Sequence, residues 1–427
     1  MNGVILTIFL LGYAMITLEH SLKVNKAAFA LLTGVVCWAV YLVWSPNPDE
    51  PAHLLQEQVS EIASILFFLM GAMTIVELID LHGGFDLITA RIRTRRKVLM
   101  LWIVSGLAFF LSAILDNLTT AIVMTSVVGK LVSDRNDRLW MVGMVVIASN
   151  AGGAWSPLGD VTTTMLWVSH KVSADAVVAN LILPSLACIL VPLTVLSFFM
   201  KGDLPPVENA HSKAPAGNSW VLFLGFLCLL LVPIFKVTLH LPPYMGMMLS
   251  LALMWILIEG VNGRRQIHDR KQFSPVDALE RIDTPSLLFF MGILLAVGAL
   301  HVTGQLSELA AWLDRTVPNR NASVTLIGLL SAVIDNVPMV AGAIEMYPEA
   351  QFPDLGMNAP FWHFLAYCTG TGGSILIIGS AAGVAVMGIE QVPFFWYLRR
   401  VSMLALLGYL AGAGVFLAQQ AAGLLIA

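Results

Sequence analysis

Long apolar segments recur along almost the whole chain, and only short polar stretches separate them. An α-helix needs about 20 mostly apolar residues to cross the hydrocarbon core of a bilayer. Only 12% of the residues are charged, whereas about a quarter are charged in an ordinary soluble domain. The sequence therefore predicts an all-α polytopic membrane protein and excludes a soluble globular fold.

About ten segments have the length and composition of a complete membrane span. Two further apolar segments, 99–128 and 324–344, each carry an Asp-Asn pair near the middle, where a simple span would be driest. Both are therefore predicted to be re-entrant hairpins. The predicted complete spans are 4–18, 27–44, 62–79, 140–168, 177–200, 220–235, 244–258, 285–300, 361–387 and 401–427.

The positions of lysine and arginine test this threading, because short cytoplasmic loops of membrane proteins are enriched in these residues. With the two hairpins in place, all but four of the 23 basic residues fall in loops on one side. That side is predicted to be the cytoplasm, and both termini are then expected in the periplasm of a bacterial inner-membrane protein. The first hairpin enters from the cytoplasm and the second from outside. The four exceptions are Lys171, Lys236, Arg315 and Arg320.

The two halves of the chain carry an internal repeat. The sequence SAILDN at 112–117 reappears as SAVIDN at 331–336, and Gly152-Gly153 recurs as Gly372-Gly373. Because the two hairpins enter from opposite sides, the repeats are predicted to be inverted, a common arrangement in secondary transporters. The predicted domains are a first repeat with an extra N-terminal helix at 1–200, a cytoplasmic linker at 201–218, and a second repeat at 219–427.

Each hairpin is followed by a glycine-rich span that a straight helix cannot accommodate. In the first copy this span reads NAGGAWSPLGDVTTT at 150–164, where paired glycines and Pro157 interrupt the helix. The second copy reads TGTGGSILIIGSAAG at 369–383, with hydroxyl groups but no carboxylate. We predict two broken helices, whose free backbone carbonyls can coordinate a cation.

Three aspartates lie within the predicted membrane region. An unpaired carboxylate at the bilayer centre costs about 2.5–3.5 kcal/mol on insertion scales, so such residues indicate function. A helix-capping role is the alternative, and it is strongest for Asp335. Small hard cations prefer oxygen ligands, which neighbouring amides and hydroxyls can supply. The candidate cation and proton site comprises Asp116, Asn117, Thr119, Thr120, Asn150, Asp160, Thr162, Thr163, Asp335, Asn336, Ser374 and Ser380, and the predicted ligands of sodium or lithium are Asp116, Asn117, Asn150, Asp160 and Thr162.

Buried carboxylates give a direct route to coupling between a cation and a proton. Burial raises the pKa of a carboxyl group and a bound cation lowers it, so that the two ligands exclude each other. Sodium or lithium is then the substrate, and no separate cofactor is expected. The net charge of −4 gives no indication of a nucleic-acid partner. The predicted function is cation/proton antiport by competition.

The motifs SAILDNLTTAIVM, NAGGAWSPLGDVTTTMLW and SAVIDNVPM resemble those of the NhaD-type sodium/proton antiporters of the ion transporter superfamily, over nearly the whole chain. This resemblance implies a two-fold pseudosymmetric protomer with a scaffold part and a transport part, within a homodimer. It implies that hairpin tips and unwound helices meet at the site. The residues matching the polar positions of the family are Asp116, Asn117, Asn150, Asp160, Thr162, Thr163, Asp335 and Asn336.

Three other functions stay open at this point. Sodium-coupled transport of a dicarboxylate or arsenite-type anion is similar in fold, but it would favour arginine or lysine near the motifs, where none occurs. An intramembrane aspartyl protease would carry a Gly-Asp motif such as Gly159-Asp160 together with a Tyr-Asp pair, whereas Asp116 follows Leu115. A passive channel would need no inverted repeats. We therefore predict a transporter and not an enzyme.

Overall fold

In the computed structural model, the described part of the chain is almost entirely helical. Its only β-type pairing is one isolated bridge between Arg96 and Asp203. Seven of its helices are long and apolar enough to cross a membrane, and one bent pair is a further candidate. The prediction of an all-α polytopic membrane protein is confirmed. The described residues are 2–17, 23–45, 49–84, 87, 92, 94–205, 219–239, 241–262, 274–317, 319–333, 336–348 and 350–426.

Most helices fall on the predicted spans, but three short helices, at Pro275–Arg281, Gln305–Thr316 and Phe394–Arg400, were not predicted. Of the predicted linker, residues 206–218 lie outside the described residues, and the domain boundaries stay a prediction. The helices are α1 (Asn2–Thr17), α2 (Lys26–Trp44), α3 (Asp49–Leu81), α4 (Lys97–Leu115), α5 (Asn117–Leu131), α6 (Arg135–Ala154), α7 (Val161–Val168), α8 (Ala174–Phe199), α9 (Ser219–Leu239), α10 (Pro243–Asn262), α11 (Pro275–Arg281), α12 (Thr284–Val302), α13 (Gln305–Thr316), α14 (Arg320–Leu330), α15 (Asn336–Met346), α16 (Pro360–Gly372), α17 (Ala381–Glu390), α18 (Phe394–Arg400) and α19 (Ser402–Ala421).

The helices pack into two groups. The first group contains α1, α2, α3, α9, α10 and α12, and its most extensive contact joins α2 to α12. There Gly34 lies so close to Gly292 that an added Cβ would be 2.5 Å from the carbonyl oxygen. The second group contains α4 to α8 and α14 to α19. This division corresponds to the predicted scaffold and transport parts.

Both predicted hairpins are present in the second group. In the first, α4 and α5 meet at Asp116, whose φ of 124° lies in a region that few non-glycine residues adopt. Its side chain accepts a hydrogen bond from the backbone N–H of Thr119 at 2.7 Å and so caps α5. In the second hairpin α14 ends at Leu330 and α15 begins at Asn336. Residues 334–335, which include the predicted site residue Asp335, lie outside the described residues.

The internal repeat reappears in the way each hairpin packs on its broken helix. A Cβ added to Gly152 would lie 2.1 Å from the carbonyl oxygen of Phe109, and one added to Gly372 would lie 2.0 Å from that of Gly328. These separations are far below van der Waals contact, so each site accepts only glycine without a shift of backbone. The paired glycines therefore allow the first helix of each hairpin to lie directly against the backbone of the broken helix.

The same correspondence holds for two buried hydroxyl groups. Ser112 donates a hydrogen bond to the carbonyl oxygen of Ser149 at 2.5 Å. Ser331, its counterpart in the second copy, donates to the carbonyl oxygen of Thr369 at 2.9 Å. Since a buried hydroxyl needs a partner, each serine fixes its hairpin to the broken helix in the same way.

The two broken helices run in opposite directions through the protein. Arg138, near the start of α6, forms an ion pair with Glu390 at the end of α17, with Nε and Oε2 2.8 Å apart. At the other end, Asn358, just before α16, donates its backbone N–H to the carbonyl oxygen of Lys171, which follows α7, at 2.9 Å. The first broken helix therefore starts where the second ends. The predicted inverted repeat is present in the fold.

One face of the protein collects the ends of several helices and their basic residues. Lys97 at the start of α4 pairs with Asp137 at the start of α6, with Nζ and Oδ2 2.7 Å apart. Its backbone N–H donates to the carbonyl oxygen of Gly202, in the segment after α8, at 3.1 Å. We call this the basic face. It is the face predicted to be cytoplasmic, and that orientation stays a prediction.

Candidate functional site

The two hairpin tips and the two helix breaks meet around the carboxylate of Asp160. This residue is the N-cap of α7, and its exposed fraction is 1%. Its Oδ1 accepts hydrogen bonds from the backbone N–H and the hydroxyl group of Thr162, at 2.9 and 2.8 Å. A carboxylate at a helix N-terminus is stabilised by the free N–H groups and by the helix dipole. The break before α7 therefore creates a position that can hold a negative charge inside the protein.

Amide side chains from both hairpins donate to this carboxylate. Asn117, at the first tip, donates to Oδ2 of Asp160 at 2.7 Å and to Oδ1 of Asn150 at 3.1 Å. Asn336, at the second tip, lies 3.3 Å from both carboxylate oxygens. Asn150 in turn donates to the hydroxyl oxygen of Ser380 at 2.9 Å. These five predicted site residues and Thr162 thus form one buried hydrogen-bond network.

The network has approximate two-fold symmetry, but its two halves differ in charge. Ser380 is the N-cap of α17 and accepts from the backbone N–H of Gly383 at 3.2 Å, as Asp160 does for α7. The counterpart of Asn150 is Gly370, where an added Cβ would lie 3.7 Å from Oδ2 of Asp160. The repeat offset was the signal for Gly370, although our sequence analysis did not single it out. The described part of the network holds one carboxylate.

Asp116 lies beside this network and has its own partner. Both its carboxylate oxygens accept from Thr119, one from the backbone N–H at 2.7 Å and the other from the hydroxyl group at 2.8 Å. Asp116 and Asp160 nevertheless line one cavity. A cation in that cavity would be close to both carboxylates. The role of Asp116 as a ligand and the place of Thr119 in the site stay predictions.

The remaining predicted site residues are placed differently. Thr120 and Thr163 are fully buried, and neither hydroxyl oxygen has a hydrogen-bond partner among the described residues. Buried hydroxyl groups are rarely left without a partner, so both are available to a ligand or a water molecule. Ser374 donates to the carbonyl oxygen of Thr371 at 2.6 Å and so caps the end of α16. The structure does not connect Ser374 to the carboxylate.

The cavity at this site, here called the central cavity, has a volume of about 50 Å³ and lies between the two helix groups. Phe68 and Phe290 close it from the first group, opposite Asp116 and Asp160. None of its described lining residues is arginine or lysine. Pockets for small organic ligands measure about 300–1,000 Å³, whereas one water molecule takes about 30 Å³. The central cavity therefore has room for a small cation or one or two waters.

Comparisons with known proteins show which family the chain belongs to. Sodium/proton antiporter 1 of Arabidopsis thaliana is 45% identical over 416 residues, which cover 96% of this chain and 71% of the relative. The Na(+)/H(+) antiporter NhaD of Vibrio cholerae is 33% identical over 434 residues, covering 95% and 89%. The chain belongs to the family of NhaD-type sodium/proton antiporters. This confirms the family indicated by the sequence motifs.

A family model and a solved structure also match this chain. The family model of CitMHS, described as a citrate transporter, matches residues 4–370. The crystal structure of the YdaH transporter of Alcanivorax borkumensis, described as having an unusual topology, matches with a TM-score of 0.57 at 14% identity. The match covers 93% of this chain and 97% of that one, so the NhaD-type chain has the same overall fold.

The donor atoms in this NhaD-type site are carboxylate, amide and hydroxyl oxygens. The described residues contain no group of three or more His, Cys, Asp or Glu residues arranged to hold a metal ion. The four cysteines are free and buried, each at a separate place in the chain. Oxygen donors suit hard cations, whereas transition metals are bound mainly through sulfur and imidazole. The donor set therefore suits a hard cation better than a transition metal.

A larger cavity of about 460 Å³ opens at the far ends of α7 and α15, on the face opposite the basic face. Glu61, Lys171, His301 and Glu345 contribute to its lining. Nδ1 of His301 lies 3.1 Å from Oε2 of Glu345 and 2.9 Å from its carbonyl oxygen. These residues lie far apart in the chain, and their sequence positions give no sign that they share one cavity. The cavity provides a polar approach toward the helices that carry Asp160 and Asn336.

Proposed function

We propose that this protein exchanges sodium or lithium for protons across the inner membrane, at a site centred on the carboxylate of Asp160. The observation that carries the proposal is that amides from both hairpin tips converge on this one buried carboxylate, beside a cavity of ion size. The names of the relatives support the same function. No separate cofactor is needed.

Competition at one carboxylate explains how the two ions are coupled. In the arrangement described here, Asn117 and Asn336 donate N–H groups to Asp160 and so favour its anionic form. Each amide can instead present its oxygen to a cation by rotating, because its oxygen and nitrogen are similar in shape. A proton on the carboxylate removes the charge that attracts the cation. Only one of the two ions is therefore bound at a time, which produces antiport.

Anion transport is the second candidate, because the matching family model is described as a citrate transporter. Two features favour the cation. The central cavity is far smaller than a usual organic-ligand pocket, and its described lining offers two carboxylates, those of Asp116 and Asp160, but neither arginine nor lysine. A carboxylate beside an anionic substrate would repel it unless a cation intervened.

The homodimer and the bacterial inner-membrane location belong to the same proposal. The homodimer rests on the resemblance to the NhaD-type family. The location and the periplasmic termini rest on the distribution of basic residues and on the basic face, because cytoplasmic loops are the ones enriched in lysine and arginine. In this proposal, membrane lipid surrounds both helix groups.

The test uses everted membrane vesicles from cells that lack other cation/proton antiporters. Respiration acidifies the vesicles, and a pH-sensitive dye reports the gradient when sodium, lithium or potassium chloride is added. Wild-type protein should dissipate the gradient on addition of sodium or lithium, whereas Asp160→Asn should not. Asp203→Asn makes the same chemical change at an exposed position and should behave as wild type. A sodium response retained by Asp160→Asn, or its absence in wild type, would overturn the proposal.

A further inference from the structure

A cavity of about 460 Å³ opens on the basic face, between the end of α8 and the starts of α4, α6 and α19. We call it the basic cavity. Four basic side chains line it, those of Lys97, Lys201, Arg399 and Arg400, together with one carboxylate, that of Asp137. The charged residues described in this lining therefore sum to a net charge of +3. It is separate from the central cavity, with which it shares no lining residue.

The single carboxylate does not neutralise the other basic side chains. Asp137 pairs with Lys97 at 2.7 Å, and both side chains are largely shielded from solvent. Lys201, Arg399 and Arg400 are exposed, and none of the described residues places a carboxylate within 4.0 Å of them. Three positive charges thus point into one concave site without a counter-ion from the described chain.

An exposed apolar surface adjoins these charges. Phe199 and Met403, which also line the basic cavity, have exposed fractions of 77% and 61%. Trp140 lines the cavity as well and packs edge-on against Trp396, with ring centroids 5.3 Å apart. Tryptophan is enriched where membrane hydrocarbon meets water. Basic side chains beside a tryptophan and exposed apolar side chains are the combination that favours a position at that boundary, with the charges on the water side and the apolar surface toward the lipid.

We propose that the basic cavity binds an anionic phospholipid. Arg399, Arg400 and Lys201 contact the phosphate of its headgroup, and an acyl chain lies along Phe199 and Met403. Arginine binds phosphate oxygens through paired hydrogen bonds, and basic pockets between membrane helices are recognised sites for anionic headgroups. A free phosphate would use the charges but not the exposed phenyl ring and thioether. Charge and apolar surface together fit an amphipathic ligand.

Bound lipid would join elements that are distant in sequence. The lining residues come from the starts of α4 and α6, the end of α8, the end of α18 and the start of α19. All five helices belong to the second helix group. A lipid in this cavity would therefore hold the cytoplasmic ends of the transport part together, at a distance from the ion site.

Native mass spectrometry of the purified full-length protein in a neutral detergent tests the proposal. The protein is titrated with phosphatidylglycerol and, separately, with phosphatidylcholine of the same acyl chains. Wild type should bind phosphatidylglycerol more tightly. Arg399→Gln combined with Arg400→Gln should weaken that binding about 30-fold, and Lys201→Gln alone about fivefold. The matched control, Arg95→Gln combined with Arg135→Gln, removes two exposed charges from the same face outside the cavity and should have no effect.

Several results would contradict the proposal. Equal binding of the two lipids by wild type would exclude a site for anionic lipid, and equal weakening in both double variants would indicate general attraction to a basic surface. Displacement of phosphatidylglycerol by inorganic phosphate at equal concentration would assign the cavity to free phosphate. Thermal melting in phosphatidylcholine shows whether each variant folds. If the double variant is unfolded, the milder Lys201→Gln change decides.

Discussion

At the scale of single residues, the site depends on a difference between two equivalent positions of the internal repeat. Asp160 and Ser380 both cap the second half of a broken helix, but only Asp160 carries a charge. Two carboxylates at these positions would repel each other in a low-dielectric interior. A single carboxylate, held by amides from both repeats, can instead switch between a proton and one monovalent cation. This asymmetry predicts different effects for the two hairpin amides.

Replacing Asn117 by alanine should weaken sodium transport more than replacing Asn336. Asn117 donates to Asp160 at 2.7 Å, whereas Asn336 lies at 3.3 Å. With a cation bound, each amide presents its oxygen to that charge instead, and the loss of one polar contact to a charge costs about 1.5–3 kcal/mol, which corresponds to about 10- to 100-fold in affinity. We expect Asn117→Ala to raise the sodium concentration for half-maximal dye response at fixed pH by at least about tenfold. A larger effect of Asn336→Ala would contradict the geometry described here.

Substitutions of Asp116 show whether transport depends on the charge of this residue or on its role as a helix cap. Asparagine caps a helix about as well as aspartate does, while alanine loses about 0.5–2 kcal/mol. Asp116→Asn should therefore keep the melting temperature but reduce sodium-dependent transport, because it removes a charge from the central cavity. Asp116→Ala should lower both. Full transport by a stable Asp116→Asn protein would show that this residue is a cap alone.

At the scale of helices, glycine determines how closely each hairpin approaches its broken helix. The duplication, the hairpins and the breaks could all be predicted from sequence, because they depend on local patterns of Gly, Pro and Asp-Asn pairs. The hydrogen-bond contacts of Asn336 with Asp160 could not be predicted from local patterns, since 176 residues separate the two in the chain. The pairing of Asp116 with Thr119 is the local capping pattern that the sequence analysis gave as the alternative role, whereas the positive φ of Asp116 could not be predicted from it.

Gly152→Ala should destabilise the transport part. The added methyl would lie 2.1 Å from the carbonyl oxygen of Phe109, so α4 and α6 must move apart. Overpacking of this kind costs about 1–3 kcal/mol. Gly106→Ala is the matched control, because Gly106 lies in α4, the hairpin helix that carries Phe109, with nothing within 4 Å of an added Cβ. We expect a lower melting temperature and reduced transport for Gly152→Ala alone; equal melting of both variants would argue against the close contact.

At the scale of the whole molecule, the antiparallel course of the two broken helices gives each face a distinct chemistry. The basic face collects Lys97, Arg138 and Glu390, and the opposite face holds the polar cavity beside Lys171 and Glu345. Charge counting along the sequence was enough to predict the two faces. It could not predict the cavities, because their walls come from helices in both halves of the chain. The predicted orientation in the membrane can be tested directly.

Cysteine labelling should distinguish the two faces. Gln391 lies on the basic face, where its carbonyl oxygen accepts from Arg135, and Met357 is exposed on the opposite face next to Asn358. Gln391→Cys should react with a membrane-impermeant maleimide in everted vesicles, and Met357→Cys in right-side-out vesicles. The wild type serves as the control, because its four cysteines are buried. The reverse pattern would place the basic face in the periplasm.

The most direct test of the central claim is to measure whether sodium binding releases protons from the purified protein. In weakly buffered solution, at a pH low enough to keep Asp160 protonated, sodium chloride should acidify the wild-type sample, because the cation displaces the proton from Asp160. Choline chloride provides the ionic-strength control, and Asp160→Asn should release no protons. Sodium binding without proton release by the wild type, or an undiminished release by Asp160→Asn, would contradict competition at this carboxylate.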